Sequence, residues 1–388
     1  MILIVLSADI NPEQSNLVVN MSTIRNVTLT LTESCNLSCD YCYEKSKTRK
    51  SMSFQTAKSI IDAEISDSSC DNIYLELFGG EPFLEFNLIK SIVNYVRALG
   101  NSKILQISAS TNGTLVHGEI QDWLLNNSDF FIAGLSYDGT PVMQDINRSQ
   151  SSQLVDLDFF SKYVVNPEIK MTVSKETLPM LSEGVMYLHS KGFIVNCNLA
   201  FGIDWSDHNN ERILEAELKK LIDFYLLNPN IKPCLMLGAS ISKLGYTTDR
   251  GMVHKWCGVG TSMHTYSVDG ALYPCQFFTP LSAGLKKSKL ITEIEFEDVF
   301  SRDILDKKCQ ICPIESICPS CYGSNYISTG SIYSKDEHYC ILTKIIAKAR
   351  SYYRAAQYDN GTLLSALDCN ESEYHATLKA ITIIQKEL

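Results

Sequence analysis

The chain has 388 residues, of which 45% are hydrophobic and 20% charged, so a wholly disordered, collagen-like or coiled-coil protein is excluded. There are 34 Lys and Arg against 44 Asp and Glu, and the net charge of −10 disfavours binding to a nucleic-acid backbone. The sequence has no apolar run of about 18 residues, which is the length that a membrane-spanning helix needs. Because the short apolar start lacks the features of a signal peptide, we expect a cytoplasmic protein.

Residues 26–200 alternate short β-rich runs with helical stretches, which is typical of parallel β/α architecture. The predicted strands cover 27–32, 73–78, 104–110, 131–136, 169–174 and 193–201. Predicted helices cover 52–65, 86–99, 178–190 and 211–228. Six strand–helix units fit an open, partial TIM barrel better than a complete eight-unit one. Such folds carry their chemistry at the carboxyl ends of the strands.

Beyond about residue 232 the pattern changes to short runs, turns and cysteines. The segment 250–340 has too few long periodic elements to build a large apolar core. Bound metal would therefore have to supply the stability that such a core usually gives. Two further helices are predicted over 341–357 and 372–388. We therefore expect four parts: an N-terminal extension with room for a strand or hairpin (1–23), a barrel (24–230), a bridging and Cys-rich region (231–345) and a helical tail (346–388).

Fourteen cysteines are unusual for a chain of this kind, and in a reducing compartment a Cys-rich enzyme more often binds metal than forms disulfides. Three of them lie within eight residues near the start, and seven fall between residues 257 and 340. The remaining four have no partner pattern and are assigned no role; they are Cys70, Cys197, Cys234 and Cys369.

The segment LTESCNLSCDYCYE places Cys35, Cys39 and Cys42 directly after the first predicted strand. Three thiolates on a short loop can hold three corners of a cubane iron–sulfur cluster, whereas closed clusters and structural zinc sites take four ligands. With no fourth cysteine nearby, the loop predicts an open iron that can bind a substrate or cofactor. A structural zinc or thiol site is the alternative.

This loop resembles the signature of the radical S-adenosylmethionine enzymes. The resemblance implies that the open iron binds the amino and carboxylate groups of S-adenosylmethionine. One-electron cleavage of this cofactor then gives a 5′-deoxyadenosyl radical that abstracts a substrate hydrogen. The resemblance also implies cofactor contacts at Tyr41 (adenine), Gly79, Gly80 and Glu81 (ammonium), Ser110, Asn112, Ser136 (ribose), Arg148 (carboxylate) and Leu199 (adenine).

The later cysteines follow the pattern C-x₁₂-G-x₄-C, C-x₂-C-x₅-C-x₂-C and a final C, which resembles the SPASM domain of peptide-modifying radical enzymes. The resemblance implies two auxiliary [4Fe–4S] clusters, and so three in the chain. Their ligands would be Cys309, Cys312, Cys318 and Cys340 for the distal cluster, and Cys257, Cys275 and Cys321 for the inner one.

Two features of this cysteine pattern differ from what the resemblance leads one to expect. The middle block ends in C-x₂-C where the family usually has C-x₃-C. The inner cluster lacks a fourth cysteine, so it would be open or capped by another side chain such as His264. Without the resemblance, two zinc knuckles would be the alternative.

Two subgroups of these enzymes compete for the reaction. Anaerobic sulfatase-maturating enzymes, which oxidise Cys or Ser to formylglycine, have an Asp directly after the Cys of the Tyr-Pro-Cys stretch. Here that position is Gln276, an amide that cannot act as a general base. The other subgroup, the maturases of ribosomally made peptides, installs cyclophane or thioether crosslinks. We favour a cyclophane, with a thioether or formylglycine as alternatives. The candidates for handling protons or positioning the substrate are Asp138, Asp145 and Gln276.

The expected partners are a short ribosomal precursor peptide and an electron donor such as flavodoxin or ferredoxin, with no nucleic acid and no membrane. Only 34 residues precede Cys35, too few for a fused leader-binding domain. Leader recognition would therefore fall to the barrel, the C-terminal helices or a separate protein. A non-catalytic iron–sulfur or zinc scaffold is the alternative from a different class, and the acidic charge disfavours a tRNA-modifying enzyme.

Overall fold

The computed structural model of the chain describes residues 23–100, 103–246 and 251–388. The strand or hairpin predicted in the N-terminal extension lies outside the described residues. The strands are β1 (Ile24–Thr32), β2 (Asn72–Gly79), β3 (Ile104–Thr111), β4 (Phe131–Ser136), β5 (Glu168–Val173), β6 (Ile194–Leu199), β7 (Met252–His254), β8 (Met263–Tyr266), β9 (Leu272–Tyr273) and β10 (Val299–Ser301).

The helices of the barrel region alternate with the strands, and the later helices lie in the Cys-rich region and the C-terminal part of the chain. They are α1 (Phe54–Ser66), α2 (Phe86–Leu99), α3 (Glu119–Asn127), α4 (Pro141–Asn147), α5 (Leu157–Tyr163), α6 (Leu181–Ser190), α7 (Asn209–Leu227), α8 (Leu235–Gly238), α9 (Ser242–Tyr246), α10 (Pro280–Leu290), α11 (Lys307–Gln310), α12 (Tyr322–Thr329), α13 (Glu337–Asp359), α14 (Leu363–Ala366) and α15 (Glu371–Glu387).

The main sheet has the order β6-β5-β4-β3-β2-β1-β8-β9. Strands β1 to β6 are parallel neighbours in chain order, with helices between them, so the predicted partial (β/α)₆ barrel followed by a Cys-rich region is confirmed. The sheet also has a part that the sequence did not indicate. Strand β8, from the Cys-rich region, pairs in parallel with β1 at Val27–His264, and β9 pairs antiparallel with β8.

The barrel core forms because the helices bury one apolar face against the strands. Helix α2 shows the pattern: Ile89, Ile92, Val93 and Val96 follow the helical spacing and are 0–2% exposed. The helix ends at Gly100, whose positive φ of 58° gives the left-handed C-cap that glycine adopts most readily.

The Cys-rich region has a smaller core of its own, which includes Val259, Phe278 and Phe300. A third apolar cluster joins α9, α13 and α15 through residues such as Leu244, Ala347 and Ile384. In the part of the chain that the structure describes, none of the helices combines the length and apolar character needed to cross a membrane.

Candidate functional site

The predicted site residues gather at one edge of the barrel sheet. Because β1 to β6 are parallel, their carboxyl ends share that edge, as the pairings Thr32–Gly79 and Val173–Leu199 show. The loop that carries Cys35 leaves the end of β1 there. The residues predicted to contact the cofactor lie at the ends of the neighbouring strands. They are Glu81 after β2, Asn112 after β3, Ser136 as the last residue of β4 and Leu199 as the last residue of β6.

Two glycines bring the end of β2 against the start of the cysteine loop. A Cβ on Gly79, whose φ is +148°, would lie 2.2 Å from the Thr32 carbonyl oxygen, and one on Gly80 would lie 2.2 Å from that of Ser34. The backbone N–H groups of Gly80 and Glu81 donate to those same carbonyls, at 3.0 and 2.9 Å. The sequence predicted close approach to a ligand, whereas the close approach seen here is to protein backbone.

Glu81 is buried directly behind this contact. Its carboxylate accepts from the N–H of Phe83 at 3.1 Å, the hydroxyl of Thr111 at 2.8 Å and the N–H of Asn112 at 2.8 Å. Burial raises the pKa of Glu81 to about 7 although these hydrogen bonds oppose the shift. The Asn112 amide in turn donates to Asn36 Oδ1 at 2.9 Å, which ties β3 to the cysteine loop.

Tyr41, Asp138 and Arg148 form one buried cluster. The fully buried Asp138 accepts from the Tyr41 hydroxyl, from Asn147 Nδ2 at 3.1 Å and from the Thr172 N–H at 2.8 Å. Arg148 Nε lies 2.9 Å from Asp138 Oδ2, an ion pair whose angle falls outside hydrogen-bond geometry, and its guanidinium is 5.5 Å from the centre of the Tyr41 ring. Both Asp138 oxygens are thus occupied by donors, which favours a positioning role over proton transfer.

Five other predicted residues have individual surroundings. Ser110 accepts from Lys170 Nζ at 2.8 Å and donates to Glu76 Oε1 at 3.2 Å, so it bridges an acidic and a basic side chain. Asp145 accepts from the N–H and the hydroxyl of Ser152. Ser136 is half-buried, and Leu199 is 3% exposed within the barrel core. Gln276 is buried on a one-turn 3₁₀ helix, Gln276–Phe278, directly after Cys275.

Sequence reasoning missed Glu44, two residues after Cys42. Its carboxyl is buried, and Oε1 has no hydrogen-bond partner among the described residues. Burial raises its pKa to about 8, partly offset by Lys47. A buried polar atom left without a partner is costly unless a ligand completes it, so this atom fits a bound polar cofactor. Only the tertiary packing identifies it, because a Glu at this point of the sequence carries no signal.

The ten predicted cluster cysteines fall into three sets of neighbouring thiols. Burial, reinforced by Cys42 and Cys35, raises the pKa of Cys39 to about 11. Burial together with the Cys321 and Cys257 thiols raises the pKa of Cys275 in the same way. In the third set, burial and the thiols of Cys318, Cys340 and Cys312 raise the pKa of Cys309 to about 11. The thiols that influence one another are those that the sequence pattern puts in the same set, and the ligand sets themselves stay a prediction.

The side chains of the three sets are suited to an iron–sulfur cluster, because such clusters are held by cysteine thiolates. Within the described ranges, no three His, Cys, Asp or Glu side chains converge tightly enough to hold one metal ion.

His264 is engaged by an acidic side chain. Its Nδ1 lies 2.6 Å from Glu64 Oε1, which also accepts from the Tyr266 hydroxyl at 2.7 Å. In the sheet it pairs with Val27 of β1. This placement gives no support to His264 as a ligand of the inner cluster.

Comparison with known proteins agrees with this geometry. Residues 24–155 match the family described as a 4Fe-4S single cluster domain. The uncharacterised protein MJ0907 of Methanocaldococcus jannaschii is 30% identical over 227 residues, which are 57% of this chain and 68% of that protein.

Two solved structures share the fold. One is anSMEcpe with bound AdoMet and the Cp18Cys peptide, with a TM-score of 0.65 and 20% identity, covering 87% of this chain and 99% of that one. The other is Streptococcus suis SuiB bound to the precursor peptide SuiA, with a TM-score of 0.52 and 14% identity, covering 82% and 76%. The chain thus belongs to the same family as MJ0907, and its barrel region matches a 4Fe–4S single cluster domain.

Proposed function

We propose that this chain is a radical S-adenosylmethionine enzyme that modifies a short, ribosomally made precursor peptide, and that it holds three [4Fe–4S] clusters to do so. The observation that carries the proposal is the loop of Cys35, Cys39 and Cys42 at the carboxyl end of β1, together with four later cysteines that line one cavity. A peptide substrate is supported by the fold shared with anSMEcpe and SuiB, whose structures include a bound peptide.

The bound groups supply the radical chemistry. When present, S-adenosylmethionine and its cluster supply a 5′-deoxyadenosyl radical that takes a hydrogen atom from the peptide, and the auxiliary clusters accept the electron left behind. A donor such as flavodoxin or ferredoxin would deliver the initiating electron. The chain itself has to hold these groups, exclude water and orient the peptide.

The first set holds the cofactor. Cys35, Cys39 and Cys42 would bind three irons and leave the fourth to the cofactor. Glu81, whose three hydrogen bonds fix its carboxylate, would accept from the cofactor ammonium group. Arg148, held by Asp138, would face the carboxylate, since a guanidinium suits a carboxylate in a bidentate pair.

Tyr41 and Leu199 would pack against the adenine from opposite sides of the barrel mouth. Tyr41 is fixed by its hydrogen bond to Asp138, and Leu199 is fixed within the core at the end of β6. Ser136 and Asn112 lie at strand ends on the same edge and would complete the polar contacts. Ser110 contributes indirectly, because its hydroxyl is engaged by Glu76 and Lys170.

We favour a crosslink within the peptide, and a cyclophane carbon–carbon bond above a thioether. Such a bond removes two hydrogens from the peptide, one as a hydrogen atom and one as a proton plus an electron. The argument against formylglycine formation is the buried amide of Gln276 beside Cys275, where a carboxylate base would be needed. The proton would go to solvent or to a group on the peptide.

Coexpression with short peptides encoded beside the gene, followed by mass spectrometry, tests the reaction. We expect the loss of two hydrogens per site and a fragmentation gap across the linked residues. An aldehyde captured by a hydrazide reagent would instead indicate formylglycine. The Cys35→Ala variant should leave the peptide unmodified, and it controls for modification by host enzymes.

A non-catalytic scaffold makes a separate prediction. Anaerobically reconstituted protein that binds about twelve irons yet forms no 5′-deoxyadenosine under strong reductant would support the scaffold and reject the enzyme. Retained cofactor cleavage in the Cys35→Ala, Cys39→Ala or Cys42→Ala variant would reject the assignment of the first set.

A further inference from the structure

Lys335 is buried among the thiols of the distal set. Its side chain lies in the segment before α13, the residue is 7% exposed, and Nζ donates to Cys318 Sγ at 2.6 Å. Lys335 lines a cavity together with all four cysteines of this set, which are Cys309, Cys312, Cys318 and Cys340. An ammonium group therefore sits inside the shell that would surround the distal cluster.

A buried ammonium group is costly unless negative charge compensates for it. The carboxylate that lines the same cavity, Glu315, is engaged by Arg302, whose Nη2 lies 2.7 Å from Glu315 Oε2. The contact of Lys335 is with a thiol instead. Four ionised thiolates on a cluster would supply the compensating negative charge. A bound cluster would therefore stabilise the buried ammonium group of Lys335.

The other two sets are surrounded differently. Cys35 Sγ accepts from the backbone N–H of Leu37 at 3.5 Å, and Cys321 Sγ accepts from that of Ser324 at 3.4 Å. Lys47, near the first set, donates to the Leu37 carbonyl oxygen. A thiol of the distal set thus accepts from a charged donor, whereas Cys35 and Cys321 of the other two sets accept from neutral backbone amides.

The reduction potential of an iron–sulfur cluster depends on the charge and hydrogen bonds around its sulfurs. A positive charge stabilises the reduced cluster more than the oxidised one, because the reduced cluster carries one more negative charge. We propose that Lys335 raises the reduction potential of the distal auxiliary cluster and so makes it the favourable acceptor of the electron released by the peptide. This inference rests on the proposed function, since it needs a cluster on the distal set.

The test is a redox titration of the anaerobically reconstituted full chain, followed by electron paramagnetic resonance. We expect Lys335→Met to lower the midpoint of one auxiliary cluster, with at least a tenfold fall in its ratio of reduced to oxidised form at a fixed potential, or about 59 mV for one electron. Lys335→Arg keeps the charge and should restore most of the difference. Lys344→Gln is the matched control: it removes a charge that lines the same cavity, and it should shift the potential less.

Iron and sulfide counts separate the possible failures. A wild-type protein with zinc or no cluster on the distal set would defeat the proposed function and this inference together. An intact cluster count in Lys335→Met with an unchanged midpoint would overturn the inference alone. Loss of the distal cluster in both Lys335→Met and Lys335→Gln would assign the lysine to assembly and also reject a tuning role.

Discussion

Tyr43 and Phe277 stack face to face, with ring centres 4.2 Å apart and planes inclined by 18°. Tyr43 directly follows Cys42 of the first set, and Phe277 lies two residues after Cys275 of the inner set. Phe277 also meets the edge of Phe201 at 6.2 Å, and Phe201 lies 5.1 Å from the ring of Tyr339, next to Cys340. A continuous aromatic contact therefore joins the loops of all three cysteine sets.

The stack should contribute measurably to stability. Phe277→Leu keeps an apolar side chain but removes the ring contact, and we expect it to lower the free energy of unfolding by about 1 kcal/mol. The measurement is the thermal midpoint of the reconstituted protein. Phe54→Leu is the control, because Phe54 makes an exposed edge contact with Tyr95 and its loss should cost less than about 0.5 kcal/mol. Equal shifts in the two variants would contradict a joining role for the stack.

Asp138 should act by holding Arg148 and Tyr41 in place. Asp138→Asn leaves a buried guanidinium without its counter-charge, so we expect about 3 kcal/mol of lost stability and weaker binding of S-adenosylmethionine. Thermal denaturation and cofactor titration measure the two effects. Asp145→Asn is the control, since that carboxylate accepts only from Ser152 in the contacts described. Unchanged stability and cofactor affinity with peptide modification abolished would show that Asp138 is a proton acceptor instead.

Much of the barrel could be predicted because its elements follow from local pattern. The helix predicted over 86–99 coincides with α2, and the strand predicted over 131–136 coincides with β4. Strand β8 was not predicted, because a four-residue run has too little pattern to show that it will pair with β1 from more than 200 residues away. Tertiary contact, not propensity, makes it a strand.

The site divides in the same way. The positions of strand ends were enough to predict that the Cys35 loop and Glu81 lie at one edge, since parallel strands end together. The partners of these residues could not be predicted. No local pattern indicated that Gly80 contacts Ser34, that Asp138 joins Tyr41 to Arg148, or that Lys335 reaches Cys318. Each is a contact between segments that only the folded chain brings together.

Cofactor binding should strengthen as pH rises through neutrality. Burial raises the pKa of Glu81 from 4.5 to about 7, so the free enzyme carries a neutral carboxyl below that pH and a carboxylate above it. Only the carboxylate attracts the cofactor ammonium group. We expect about a tenfold gain in affinity for S-adenosylmethionine between pH 6 and pH 8, measured by equilibrium binding without reductant.

The Glu81→Gln variant is the control for this pH dependence. It has no charge to gain, so its affinity should be low and flat over the same range. The raised pKa also predicts that the cofactor-free wild type loses stability as pH rises from 4.5 to 7, because the unfolded chain ionises first. A flat binding profile in the wild type would contradict the assignment of Glu81 to the ammonium group.

Glu76 and Lys170 should be coupled through Ser110 across the barrel interior. Ser110 accepts from Lys170 and donates to Glu76, so the surroundings of each charge depend on the presence of the other. We expect Lys170→Met to destabilise the protein more than the Glu76→Gln/Lys170→Met double variant, with an interaction energy of about 1–3 kcal/mol from the thermal midpoints of the full cycle. The matched control is the surface pair Lys90 and Glu119, where Glu119 is 78% exposed and the interaction should be below about 1 kcal/mol. Additive effects at Glu76 and Lys170 would mean that the two charges are compensated independently, and that Ser110 is free to serve the cofactor as the sequence predicted.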